Sequence, residues 1–404
     1  MTLPGVRTVI RDQFQTLSRS NLPDTVRVAV IGRRNNSETD YLDSDEATPS
    51  EPVAPNFMPF IARTESQVVA NFGPGSELHR AFLEAVSGGA PRVILVSWGS
   101  TNSLADDYAD DAALNLDGPE DPFHLAFEAA EAVQADIIAL WGRGGHTDDP
   151  AHVGFHADMD ELLVRVADKC KEITDRSTPC FAVIGVSPLD GEDPPTTAEL
   201  KAHIDALDLP EDRRLVAPYA TVVATELKPV GYPADQGWAN GAATYAGFLA
   251  SLQPEISATG KRLFNNRELR YAPTRTQQED MVAKALTPIK QNFSREAVVV
   301  DAMTYSAPNS DYTRLSTLRI VFAAIELVRQ AAENYVGFPA TMHHRNAMDT
   351  AIGSQLRGMI VEGALIDADY NIAYTPTENT ARIDLVLTPA FEMRNIEVSI
   401  SIRL

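Results

Sequence analysis

The 404-residue chain is poor in cysteine, with two, and in positive charge, with 34 Lys+Arg against 56 Asp+Glu. Cys170 and Cys180 supply neither a disulfide framework nor a four-ligand metal site. They read as small core residues of a protein made in a reducing cytoplasm. The shortage of basic residues leaves a net charge of −22. That disfavours nucleic acid and anionic membranes as partners. Long apolar runs are also missing. The longest, Cys180–Val186 and Ile320–Ile325, fall far short of a bilayer span, so no membrane insertion is expected. The opening MTLPGVRTVIRDQF lacks an apolar signal-peptide core. What remains is ordinary globular composition, 44% hydrophobic and 22% charged. A chain of this length can bury a sizeable core, in two or three domains.

Motifs of catalysis are lacking too. No G-x-G-x-x-G, Walker A or G-x-S-x-G pattern occurs. Gly32, Gly142, Gly144 and Gly145 follow buried-strand patterns and read as turns. The segment GGHTDDPAHVGFHADMDE gathers His146, Asp148, Asp149, His152, His156, Asp158 and Asp160, side chains able to hold zinc or manganese. Their spacing matches no metalloenzyme pattern, and an exposed acidic loop explains them equally well, so no metal and no cofactor are expected. His343 and His344 are adjacent in a predicted helix and do not share a face. No carboxylate pair or nucleophile–base set stands out, and no catalytic residue is assigned.

From Val26 to about Ala224 the chain alternates strand and helix. Strands are expected at Val26–Ile31, Arg92–Trp98, Asp136–Trp141, Cys180–Val186 and Leu215–Ala224. Helices are expected at Ser76–Ser87, stopped by Gly88-Gly89, at Pro122–Gln134 and at Asp158–Arg176. Thr196 and Glu199 form a capping box for the next helix, which carries Leu200, Ile204 and Leu207. This alternation predicts a layered α/β domain with a largely parallel sheet. Asn35–Asn56 and Ser100–Gly118 are polar, acidic and read as exposed loops. Tyr232–Gly241 is turn-rich and marks a domain boundary.

Beyond the boundary, Ala242–Leu252, Gln277–Phe293, Asp311–Glu333 and Thr341–Glu362 read as helices. Leu315, Leu318, Phe322, Ile325 and Val328 form one apolar stripe. Strands follow at Tyr370–Tyr374, Ala381–Leu387 and Ile396–Ile402, an α+β order. The closing segment alternates without fault: Ile396, Val398, Ile400, Ile402 and Leu404 face one way, and Glu397, Ser399, Ser401 and Arg403 the other. Such a strand pairs either within its own domain or with the edge of a neighbour's sheet. Val6–Arg11, with Val6, Thr8 and Ile10, is also strand-like. Residues 239–404 carry 16 Lys+Arg and 17 Asp+Glu, whereas residues 1–238 carry 18 and 39. Either the first part is simply well solvated, or the second is covered by other subunits, since charge is depleted in permanent interfaces.

Taken in order, these segments resemble the tail sheath proteins of contractile bacteriophages and related injection systems. Pro4-Gly5-Val6 resembles the family's Pro-Gly-Val opening. NFGPGSELHRAFLEAVSGGAPRVILVSW (71–98) resembles its helix, Gly-Gly turn and strand. GAATYAGFLASLQPEISATGKRL (241–263) and REAVVVDAMTYSAPNSDYTRLSTLRIV (295–321) resemble its Gly-Ala segment and its strand, threonine turn and Arg-bearing long helix. Met303 stands where an arginine is frequent, and Lys290-Gln291-Asn292-Phe293 where Gly-Ile-Asn is common.

The resemblance implies an N-terminal arm (1–25), an acidic outer α/β domain (26–238) and an α+β sheath core (239–404) ending in a strand arm from about residue 391. It implies a structural protein, not an enzyme. Hexameric rings would stack around a tail tube and contract to drive it through a host envelope. Baseplate and terminator proteins would be further partners, and the setting a virion tail after assembly in the host cytoplasm. The intersubunit arm contacts would be Val6, Thr8, Ile10, Ile396, Val398, Ile400, Ile402 and Leu404. The alternative is a cytosolic α/β enzyme with its site near Gly142–His146, in the crevice at the strand carboxyl ends.

Overall fold

The structure is a computed structural model that describes residues 18–19, 26–34, 56–100, 122–140, 159–176, 178–186, 196–206, 218–229, 238, 240–264, 267–375, 377, 379–390 and 392. Its centre is strand β2 (Arg27–Arg34), preceded by the two-residue β1 (Ser18–Arg19). Val28, Ala29, Val30 and Ile31 are wholly buried. A run apolar on both faces is what a strand covered by helices on both sides requires. Around β2 lie β3 (Pro59–Ala62), β4 (Arg92–Ser100), β5 (Ile137–Leu140), β6 (Phe181–Gly185) and β7 (Ala220–Val223), in the order β3-β4-β2-β5-β6-β7. All pairings are parallel except β3 with β4. The order reverses at β2, which makes the sheet doubly wound.

Helix α1 (Glu65–Phe72) follows β3, and α2 (Glu77–Gly88) leads into β4. The Ser76 hydroxyl accepts the His79 N–H at 3.0 Å, and Gly89 closes α2 in the left-handed region at φ 109°. Glycine adopts that backbone without a Cβ clash. Helices α3 (Pro122–Ala132) and α4 (Met159–Arg176) precede β5 and β6 and are joined by the Arg176–Glu131 ion pair. Helix α2 packs against β2 and β4, α3 against β4, and α4 against β6. Helix α5 (Thr197–Ala206) opens on the expected box: the Thr196 N–H donates to Glu199 Oε2 at 2.6 Å, and the Glu199 N–H to Thr196 Oγ1 at 3.2 Å.

Helix α6 (Ala242–Ser251) packs on the same sheet, against α2. The two backbones nearly touch. A Cβ on Gly88 would lie 2.3 Å from the Thr244 carbonyl oxygen, and one on Gly247 2.1 Å from that of Ala85. Buried Glu84 accepts the Thr244 hydroxyl at 2.6 Å across the same crossing. Apolar contacts therefore continue past residue 238, in one cluster reaching from Val28 to Ile325.

Before α6 lies β8 (Leu227–Pro229), paired with β9 (Arg267–Leu269) after it; then come α7 (Arg275–Ala283), β10 (Ile289–Gln291) and β11 (Ala297–Val299). The helix expected over Gln277–Phe293 thus stops at Ala283. Pro288 lacks the N–H that a helix interior needs, and Thr287 belongs to the sheet. Its N–H donates to the Val222 carbonyl at 2.8 Å, and its carbonyl accepts the Ala224 N–H at 3.0 Å. The Thr221 hydroxyl donates to the Met303 carbonyl at 2.7 Å, and the Tyr305 N–H to the Ala220 carbonyl at 2.7 Å. The β7 edge is closed by these partners, as a buried sheet edge must be. Cys170 and Cys180 are free thiols, both fully buried, as expected.

The long helix, α8 (Leu315–Glu333), begins four residues later than expected, because the Thr304 hydroxyl bonds the Tyr312 carbonyl and the Thr304 N–H the Thr313 carbonyl in a turn. It is followed by α9 (Met342–Val361), β12 (Ala364–Thr375) and β13 (Thr380–Pro389). Among the described residues no helix is long and apolar enough to cross a membrane.

Replacing Gly247 by Ala forces α2 and α6 apart, and we expect a cost of about 1–3 kcal/mol, the usual penalty of overpacking. A lowered thermal midpoint relative to a Ser251→Ala control checks this. A second expectation concerns alkali. Burial pushes the phenol pKa values of Tyr219, Tyr245 and Tyr271 well above the ordinary 10.0. A pKa raised in the folded state contributes stability that is present below the unfolded value and lost above it. Stability should therefore fall as pH rises beyond about 10. Phenolate absorbance from these three residues should appear only together with the loss of circular dichroism.

Candidate assembly surface

Helix α8 has two apolar faces. Leu315, Leu318, Phe322 and Ile325 join the first core, and Ile320, Ala323, Ala324, Val328, Ala331 and Ala332 build a second one with α9 and β12. The expected stripe is buried along its whole length. Phe322 stacks on Tyr219 with ring centroids 5.7 Å apart.

Two arginines of α8 close the ends of other helices. Arg319 Nη2 donates to the carbonyls of Leu249 at 2.8 Å and Leu252 at 2.6 Å, at the carboxyl end of α6. The Leu249 carbonyl also accepts the Leu252 N–H at 3.1 Å, and the helix dipole favours a cation at this end. Burial pulls the Arg319 pKa down to about 10, so the side chain remains charged at neutral pH. Arg329 Nη2 donates to the Thr174 carbonyl at 3.0 Å, near the end of α4, and its pKa too is lowered by burial. Arg314 reaches back to Asp301 Oδ1 at 2.6 Å and touches Met303 Sδ at 2.9 Å. It supplies a guanidinium beside Met303, whose position resembles one where an arginine is frequent.

The second core supports a β-ribbon. β12 and β13 pair antiparallel from Leu365↔Pro389 to Thr375↔Thr380, with a bulge between Leu365 and Asp367. Ala368, Tyr370, Ile372 and Tyr374 face α9 with Ile383, Leu385 and Leu387 from the facing strand. Gly353 of α9 gives room for Tyr370, whose hydroxyl would lie 2.6 Å from a Cβ there and donates to the Asp349 carbonyl at 2.9 Å. The Arg345 guanidinium lies 4.3 Å over the Tyr374 ring. The opposite face carries Asp367, Asp369, Asn371, Ala373, Arg382, Asp384 and Val386, all exposed.

The ribbon's edges are largely open among the described residues. β1 covers β12 only at Leu365 and Ala364, through Ser18 and Arg19. No described strand pairs with the outer edge of β13. After β13 the chain returns to the start of α8, where Ser316 Oγ donates to Glu392 Oε2 at 3.3 Å. A carboxylate suits a helix amino end.

The arm residues Val6, Thr8, Ile10, Ile396, Val398, Ile400, Ile402 and Leu404 lie outside the described residues, as do Gly142–His146, His152 and His156. Among the described residues no group of three His, Cys, Asp or Glu could hold a metal. Sequence reasoning missed Arg319, Arg329 and the open ribbon edges. The order of predicted strands before the closing segment was the one signal for the ribbon.

The doubly wound sheet, the shared helix and the terminal ribbon together make up the fold of contractile tail sheath proteins, in agreement with the resemblance seen in the sequence. The chain matches the anti-feeding prophage helical sheath in its contracted state at TM-score 0.63 and 14% identity, over 99% of both chains. It matches the contracted PVC sheath, from an extracellular contractile injection system, at TM-score 0.59 and 15% identity, over 99% of this chain and 98% of that one. A sheath tail protein from Listeria innocua matches at TM-score 0.57 and 11% identity, over 93% and 94%. No family model matches the chain, and no curated protein matches it in sequence.

Replacing Arg319 by Met keeps the volume but leaves the end of α6 without its donor. We expect a loss of about 1–3 kcal/mol, the cost of an unsatisfied buried polar group. Arg319→Lys should recover part of it. Thermal denaturation of the three proteins side by side checks both statements.

Proposed function

We propose that this chain is a structural subunit of a contractile tail sheath and has no catalytic role. The observation that carries the reading is the β12–β13 ribbon, whose β12 edge has no described partner from Ile366 to Thr375. An edge that long is a template for strands from another chain. It occurs in a chain that matches sheath folds over nearly its full length. Those neighbours are structural sheath proteins.

In this reading the strand-like segments supply the added strands. Val6, Thr8 and Ile10 lie shortly before Ser18, which already pairs with β12. Ile396, Val398, Ile400, Ile402 and Leu404 lie shortly after Glu392. Both segments of one subunit would reach the ribbon of a neighbour, with their apolar side chains turned toward its covered face. Subunits would form hexameric rings stacked around a tail tube protein, with baseplate and terminator proteins at the two ends. The lattice would store the energy of contraction, and main-chain pairing would keep neighbours connected while rigid bodies rotate. Residues 26–238, with their excess of acid, would form the outer part, and 239–404 the inner part. The particle would be a phage tail or an extracellular injection machine.

Electron microscopy of the purified full-length chain tests the reading. Tubes or stacked rings are expected, and a lasting monomer at high concentration would refute it. Deleting Ile396–Leu404 should abolish the tubes while circular dichroism and sedimentation report a folded monomer. An insoluble product would identify an internal strand, and intact tubes would remove the segment from assembly altogether.

A further inference from the structure

Residues 260–300 carry eight Lys+Arg and four Asp+Glu, in a chain whose net charge is −22. Much of that positive charge lies on one small sheet. The segment 260–263 runs beside β11, with the Leu263 N–H donating to the Ala297 carbonyl and the Val299 N–H to the Lys261 carbonyl. β11 pairs in turn with β10. This places Lys261, Arg262, Lys290 and Arg295 on or beside three adjacent strands. The acid among them, Glu296, is paired with Arg262 at 2.5 Å.

The turn from β10 to β11 holds Phe293 out, fully exposed. The turn itself is firmly built. Asn292 Oδ1 accepts the N–H groups of Ser294 and Glu296, both at 2.9 Å, and Asn292 Nδ2 donates to Glu296 Oε2 at 2.8 Å. The Asn292 carbonyl accepts the Arg295 N–H at 3.0 Å, and Arg295 sits at φ 60°. A left-handed arginine is uncommon, and the bonds around Asn292 hold it. A turn whose backbone is already held loses little further freedom when its aromatic side chain is covered.

We propose that the β10–β11 turn is a docking knob, in which Phe293 and the surrounding cations Lys261, Lys290 and Arg295 seat on an acidic surface of a second copy of this chain. This rests on the sheath reading above. Charge selects the occupant: copies of a chain at −22 repel on average, and this basic patch is where a second copy is attracted. The exposed face of the ribbon fits the knob, because Val386 lies there among Asp367, Asp369 and Asp384, with Arg382 already paired to Asp384. Aromatic and Arg side chains in a desolvated centre carry most of the energy of such contacts.

The experiment compares full-length wild-type chain with Phe293→Ser and with the double variant Lys290→Glu plus Arg295→Glu. Assembly is followed by light scattering and electron microscopy, and folding by circular dichroism. Both variants should remain folded and need at least about tenfold more protein to assemble, which corresponds to 1.4 kcal/mol per contact. Adding Asp369→Lys and Asp384→Lys to the double variant should restore assembly. Benzoylphenylalanine at position 293 should crosslink one copy to another. Wild-type and variant chains that assemble equally well, with no crosslink, would overturn the knob and leave the sheath reading standing. A wild-type chain that never self-associates would overturn both. Variants that assemble normally but lose binding to anionic vesicles would replace the second copy by a membrane.

Discussion

Two cores share one helix, and the rest of the fold depends on that sharing. α8 offers Leu318, Phe322 and Ile325 to the sheet side and Ile320, Ala324 and Val328 to the ribbon side. Neither core is complete without it. Its polar side chains extend the same role, since Arg319 ends α6 and Arg329 ends α4. Burying a guanidinium is costly unless its donors are met. For Arg319 the carbonyls of Leu249 and Leu252 at the end of α6 meet that need. The outcome is a rigid block in which α4, α6 and α8 hold fixed relative positions, with the ribbon mounted on one side.

Charge is distributed with comparable economy. The acidic excess lies before residue 239, whereas positive charge gathers between 260 and 300. In a monomeric enzyme such separation has no evident use beyond steering a ligand. In a subunit that meets many copies of itself, it sets orientation: acid faces repel acid faces, and the few basic places decide which approach is productive.

Much of the first domain was legible because its signals are local. β2 reads as a buried strand from Val28-Ala29-Val30-Ile31 alone, and Ser76, Thr196 with Glu199, and Thr341 mark helix starts by chemistry that acts within four residues. β13 was legible from the alternation of Ile383, Leu385 and Leu387. What stayed hidden depends on distant partners. Gly88 and Gly247 look like ordinary helix residues until α2 and α6 meet. Thr287 follows a helical run yet serves as a sheet edge, because Val222 waits across the chain. Arg319 was visible only as part of a family-like helix, and its carbonyl partners lie some seventy residues away. Short pieces such as β3 and β10 carry too few residues for any period to register. The candidate arms were legible only as alternation, a pattern that cannot say which sheet a strand joins.

The clasp formed by β1 has a consequence of a statistical kind. Two residue pairs, Ser18↔Leu365 and Arg19↔Ala364, join it to β12, and β1 also touches β13, α8 and α9. Two main-chain hydrogen bonds at about 1 kcal/mol net each would by themselves favour the closed form by a factor of about 30. An undocked β1 would leave the whole β12 edge bare, from Ala364 to Thr375. A partner strand that competes for that edge needs no trigger. It waits for an opening that thermal motion supplies, and the two-residue clasp sets how often.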